Sequence, residues 1–105
     1  MREIEVGLIR GRHEMPVDKY IFEKPIEDVH DYGGMACDII DYIYDNVTKD
    51  ELTKLNVYIT GLTAVALAVF HVCFDLNARG WNILLNAKHY DVESGCYRTQ
   101  PLISA

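Results

Sequence analysis

Two short clusters in this chain carry residue types that handle phosphate. The first is Arg12-His13, inside the polar stretch Arg10-Gly11-Arg12-His13-Glu14-Met15-Pro16. An arginine fork matches a pair of phosphate oxygens. A neighbouring histidine titrates near neutrality and can take or give a proton. The second cluster is Thr60-Gly61-Leu62-Thr63, at the head of an apolar run. If a helix starts there, its free backbone N–H groups attract anions. Gly61 leaves room for a ligand against the backbone. Thr60 or Thr63 either caps the helix or donates to a phosphate oxygen.

A third group, Asn86, Lys88, His89 and Tyr90, adds a cation and a second acid–base side chain. Each cluster has an ordinary alternative: a solvated loop, a helix cap, one face of a hairpin strand. Taken together they define one candidate site. His13 is its catalytic residue, and Arg12, Thr60, Gly61, Thr63, Lys88 and His89 hold the ligand. Tyr58, Tyr90 and Tyr97 are available to stack on a base, though strand tyrosines usually serve sheet packing.

Other chemistries find no pattern. The glycine-rich dinucleotide fingerprint and the Walker loop are absent. No nucleophile elbow or Ser-His-Asp order is present. No close Cys/His set offers zinc a ligand sphere, so no metal and no cofactor are expected. Cys37, Cys73 and Cys96, an odd count without close pairs, do not read as a secreted disulfide framework. Cys37 and Cys73 fall in helical patterns and are expected to be buried thiols. His71 reads as a core or interface histidine, and His30 as part of the loop leading into a helix.

The elements that must position the site follow from periodicity. Ile4, Val6 and Leu8 alternate with polar or small residues, a strand ending near Ile9. Lys19 to Phe22 is a short edge strand closed by Pro25. Asp31 caps a helix from Tyr32 whose stripe is Met35, Ile39, Ile40, Ile43 and Val47. Thr48 and Glu51 fit a capping box for a short turn through Lys54. Leu55 to Thr60 is a strand broken by Gly61. Leu62 to Leu76 is a helix apolar nearly all round, expected to be buried on more than one side. Asn77 and Gly80 stop it. Trp81 to Leu85 is a third strand. Lys88 to Gln100 is a hairpin turning at Asp91-Val92-Glu93-Ser94-Gly95 and ended by Pro101.

Strand–helix alternation predicts a mostly parallel sheet. The expected fold is α/β: a small Rossmann-like sheet with two main helices and a C-terminal β-hairpin, in one domain over residues 1–105. The alternative is an α+β sandwich with both helices on one face. In a parallel sheet the loops after Ile9, Thr60 and Leu85 meet at one end, where ligands bind.

The 105 residues suffice for one core, and half are hydrophobic. The formal net charge of −6 argues against duplex nucleic acid as a partner. No signal peptide is apparent, and the longest apolar run is too short to span a membrane. A cytoplasmic protein is expected. A small domain with an apolar helix also predicts a homodimer.

Arg12-His13 after the first strand and Thr60-Gly61 before an apolar helix resemble features of small CRISPR-associated Rossmann-like proteins. These are the CARF-type domains and the compact ring nucleases. The resemblance implies a cyclic oligoadenylate, or another phosphate-bearing ligand, bound across a homodimer. It implies that Arg12, Lys88 and the residues from Thr60 to Thr63 hold phosphates. It further implies that His13 assists metal-independent attack of a ribose 2′-hydroxyl on phosphorus. The competing expectation is an anti-defence (anti-CRISPR-like) protein without catalysis. There Asp38, Asp41 and Asp45 imitate phosphates and dock on a basic nuclease partner.

Overall fold

The computed structural model describes residues 1–11 and 14–105. The elements in chain order are β1 (Arg2–Ile9), β2 (Tyr20–Phe22), α1 (Tyr32–Asn46), β3 (Thr53–Tyr58), α2 (Thr63–Ala78), β4 (Ile83–Asp91) and β5 (Cys96–Ile103). They build one five-stranded sheet in the order β2-β1-β3-β4-β5. β2, β1, β3 and β4 run parallel, and β5 pairs antiparallel with β4. This is the mostly parallel α/β sheet with two helices and a C-terminal hairpin that the alternation predicts.

The crossovers from β2 to β3 and from β3 to β4 step the same way across the sheet. Right-handed crossovers in one direction put their helices on one face. α1 and α2 accordingly touch each other and share a single core. Val6 and Leu8 of β1, Leu55 and Val57 of β3, and Ile83 and Leu85 of β4 are buried in it against Met35, Ile39 and Ile43 of α1 and Val65, Val69 and Val72 of α2. One face is therefore covered by helices, as in the alternative considered above, and the other carries none. On that open face a polar ladder replaces the second helical layer. Asn86 Nδ2 donates to Asn56 Oδ1 at 2.9 Å, and Asn56 Nδ2 donates to Glu3 Oε1 at 2.9 Å and to Glu5. The Tyr58 hydroxyl donates to Glu5 Oε1 at 2.9 Å.

Several local expectations change. Lys54 lies in β3 and not in a short helical turn. Thr48 and Glu51 form only a backbone turn, with Glu51 N–H donating to Thr48 C=O at 3.1 Å. β3 starts at Thr53 and ends at Tyr58, so Ile59 and Thr60 are loop. β4 runs on to Asp91, so Asn86, Lys88, His89 and Tyr90 are strand residues and not a loop after the strand. Pro101 sits inside β5 opposite Asn86, beside an irregularity at Leu85/Asn86. β5 is an edge strand, where a missing N–H costs the sheet little.

α2 is buried along one face only. Leu67 and Phe74 are each 62% exposed, and His71 is exposed too, not core. Cys73 is buried, and burial pushes its thiol up to about 12. Cys37 is exposed, because its position lies off the α1 stripe. Asp31 caps α1 as expected, its Oδ1 accepting from Gly34 N–H at 2.9 Å. No helix among the described residues is long and apolar enough to cross a membrane.

Candidate functional site

A parallel strand followed by a helix delivers the helix N-terminus to the carboxyl end of the sheet. α2 does this here. Its N-cap position is Leu62, which has no side-chain oxygen, and no side chain caps the helix. The first-turn amides of Val65 and Ala66 reach back to Leu62 C=O at 3.2 and 3.3 Å. Neither threonine caps the helix, contrary to the simpler of the two roles open to them. Thr63 is exposed. Thr60 is 4% exposed, and its Oγ1 has no hydrogen-bond partner among the described residues. A buried hydroxyl without a partner costs free energy on the order of 1–3 kcal/mol. That cost falls when a ligand supplies the missing acceptor or donor.

In front of this helix start lies a cavity of about 730 Å³. Thr60, Gly61 and Thr63 form one wall, and His89, Tyr90 and Tyr97 of the hairpin form another. Ile59 and Ala66 supply apolar surface, and Glu14 contributes a carboxylate. Gly61 is not required by the fold. A Cβ built there meets nothing within 4 Å, and its backbone φ is not positive. The open space in front of it is cavity.

His89, on β4, is held by the neighbouring strand β5. Its Nε2 lies 2.8 Å from Gln100 Oε1. When Nε2 carries a ring proton it donates to that amide oxygen. Gln100 did not stand out in the sequence. A signal was available: counting back from the hairpin turn places Gln100 and His89 on one face of β4–β5.

Four of the expected ligand-holding residues thus meet: Thr60, Gly61, Thr63 and His89. Lys88 does not join them. The strand period of two turns it to the open face, where Nζ lies 2.6 Å from Thr99 Oγ1. Arg12 and His13 lie outside the described residues. Glu14, the next described residue, lines the cavity.

The tyrosines form a cluster. Tyr97 packs edge-to-face on Tyr58, centroids 4.9 Å apart and planes at 76°, and on Tyr90 at 5.4 Å and 68°. Burial raises the phenol of Tyr97 above its ordinary value, with Tyr90 adding to the rise. Burial and the hydrogen bond to Glu5 do the same for Tyr58. Both rings stay neutral around pH 7.

A second concavity, a groove of about 840 Å³, runs between β2 and α1. Asp31, Asp38, Asp41 and Asp45 line it with Glu23 and Glu27, against Lys24. No group of three or more His, Cys, Asp or Glu among the described residues converges in a way that holds a metal ion. No family model matches the chain, and neither a curated protein nor a solved structure comes out as a match to it.

Proposed function

We propose that this protein binds a phosphate-bearing nucleotide in the cavity at the carboxyl end of its sheet, a cyclic oligoadenylate being the form in view. The observation that carries this reading is the start of α2. No side chain caps it, and the buried Thr60 hydroxyl beside it has no partner among the described residues. Such a helix end stabilises an anion through its free N–H groups and its dipole. The Thr60 hydroxyl is then available to a phosphate oxygen, Tyr90 at the cavity lining offers a ring to a base, and Arg12 is assigned the forked cation.

In the catalytic form of this proposal the protein is a metal-independent ring nuclease. His13 takes the proton of a ribose 2′-hydroxyl as that oxygen bonds to phosphorus. The bond from phosphorus to the 5′-oxygen breaks, and the 5′-oxygen takes up a proton. In the non-catalytic form the same pocket senses or sequesters the ligand. His13→Ala then separates the two: turnover falls by roughly 10²–10⁴-fold while binding persists.

The primary test is a thermal shift and calorimetric titration with inorganic phosphate, AMP and cyclic oligoadenylates. A ligand at about 100 times its Kd raises stability by about 2.7 kcal/mol. Gly61→Val is the decisive variant, since Gly61 lines the cavity and a Cβ there meets no neighbour within 4 Å. It keeps the wild-type melting temperature and loses the ligand-induced rise. No binding of any nucleotide at millimolar concentration overturns the proposal.

The acidic groove favours a second reading, an inhibitor that docks on a basic nuclease surface. Asp38, Asp41 and Asp45 line that groove together. Charge reversal at Asp38 and Asp41 then abolishes partner binding, while Gly61→Val and Arg12→Ala leave it intact.

A further inference from the structure

An anion at the start of α2 leaves water for helix amides and a hydroxyl, and a positive charge beside it strengthens the exchange. Among the described residues that line the cavity, His89 is the one side chain that can carry such a charge, and Glu14 carries a negative one. The cations near it in the hairpin are engaged elsewhere. Lys88 faces the open side of the sheet, where its Nζ meets Thr99 Oγ1. Arg98 stands opposite His89 in the β4–β5 register, but its Nε donates to Asp91 at 2.6 Å.

The setting of His89 lets it change charge in place. The residue is exposed, so burial does not oppose protonation. Across the hairpin, Gln100 Oε1 lies 2.8 Å from its Nε2. When Nε2 donates to that oxygen, the proton gained on charging goes to the other ring nitrogen, which turns from acceptor to donor. A neutral ring then offers an anion a lone pair, and a charged ring offers it an N–H and a full charge. The other titratable and charged groups around the ring are Glu14 on the cavity wall, the phenols of Tyr90 and Tyr97, and the Arg98–Asp91 pair. α2 contributes only Thr63 and Ala66 to the lining, neither of which titrates. Glu14 favours the charged ring, and the charges of Arg98 and Asp91 offset each other.

We infer that His89, oriented by Gln100, takes up a proton as an anion enters the cavity and becomes a cation that holds it, so that binding tightens as the medium turns acid. The inference rests on the reading of the α2 start as an anion site, and it holds whichever phosphate-bearing molecule is bound and whether or not that molecule is cleaved. An opposite charge close to an imidazole favours the charged ring by about one pKa unit or more. Reciprocity then requires the affinity for the anion to rise by the same factor, roughly 10-fold or more, as pH falls from about 8 to about 5. Gln100 acts as a positioning residue, since it touches the ring and not the anion.

The experiment titrates sulfate, whose charge is constant over this range, and AMP into wild type, His89→Asn, Gln100→Met and Gln100→Glu by calorimetry. It covers about pH 5 to about pH 8 in buffers of different ionisation enthalpy. Wild type binds sulfate roughly 10-fold or more tightly at the acid end and takes up a proton with it. In NMR spectra the His89 ring titrates at higher pH with sulfate than without it. His89→Asn binds weakly at every pH and shows no slope. Gln100→Glu favours the charged ring and moves the rise in affinity to higher pH. Gln100→Met, at an exposed position, keeps the wild-type melting temperature and weakens binding at the acid end. A wild-type affinity independent of pH, or a slope that survives His89→Asn, overturns the inference and leaves the anion site standing. A slope that Gln100→Glu does not move overturns the role given to Gln100. Binding of neither sulfate nor AMP at millimolar concentration at any pH removes the reading of the α2 start itself.

Discussion

Gly7 shows how one residue shapes the open face. A Cβ at this position falls within the contact radius of the Tyr20 ring and meets Val17 Cγ2 at 3.2 Å. The ring can lie flat on the sheet because the backbone beneath it is bare. Gly7→Ala displaces Tyr20 and with it the Arg10 stack. A loss of about 1–3 kcal/mol is expected, as for other overpacked sites, measurable by urea denaturation. Asp91 makes a different kind of residue-level claim. Arg98 Nε, at 2.6 Å, and the Ser94 hydroxyl, at 2.8 Å, hold its carboxyl below the ordinary value of 3.8. A depressed carboxylate stabilises the fold above its unfolded-state pKa and ceases to do so as pH falls through the folded one. The hairpin's contribution is therefore complete at pH 7, begins to be lost near the ordinary value of 3.8 and is gone once pH falls through the lower folded value. Urea midpoints of wild type and Asp91→Asn differ at neutral pH and converge in acid. A difference that persists in acid refutes this assignment.

At the scale of elements, the end of α2 is as specified as its beginning is bare. Gly80 takes a positive φ of 98°, and Gly80 and Trp81 return N–H bonds to Asn77 and Leu76. Asn77 then pins β4, its Nδ2 donating to Ile83 C=O and its Oδ1 accepting from Ile83 N–H, both at 2.8 Å. These contacts fix where β4 begins and hence where His89 arrives at the cavity. Asn77→Ala removes both and leaves a half-buried strand end unsatisfied. A destabilisation of about 2 kcal/mol is expected from denaturant melts. A weaker ligand-induced thermal shift should accompany it, since His89 loses its fixed height. The contrast between the two ends of α2 is physical: one is closed by side-chain and backbone groups, and the other has no side-chain cap.

For the whole molecule, the consequence of placing both helices on one face is an asymmetric surface. One side of the sheet is a conventional apolar core, and the other is a ladder of Asn, Glu and Tyr. The helical layer has its own outward apolar residues, Leu67 and Phe74 on α2. A homodimer, proposed from the small domain and its apolar helix, has an apolar contact available in that stripe. Size-exclusion chromatography with light scattering tests it. Wild type at micromolar concentration is expected as a dimer, and Phe74→Glu as a monomer of unchanged melting temperature. A wild-type monomer excludes the dimer.

The sequence by itself made legible the class of fold and the existence of most elements, though not all their ends. The stripe of α1, its Asp31 cap, the alternation of β1 and the hairpin turn are local patterns, governed by steric and hydrogen-bonding rules that act over a few residues. It also marked Thr60, Gly61, Thr63 and His89, because strand–helix order alone says which loops share an end of the sheet. What local patterns do not contain is sidedness. Whether Leu67 and Phe74 of α2 meet a second layer depends on the crossover path around the whole sheet, so an all-apolar helix reads as buried when it is not. The length of β4 beyond Leu85 depends on its pairing with β5, from Asn86 opposite Pro101 to Asp91 opposite Cys96, and that pairing turns Lys88 to the open face while keeping His89 at the cavity. The uncapped start of α2, the orphaned Thr60 hydroxyl and the cluster of Tyr58, Tyr90 and Tyr97 are likewise decided by tertiary packing, because each is a relation between side chains that only the assembled sheet brings together.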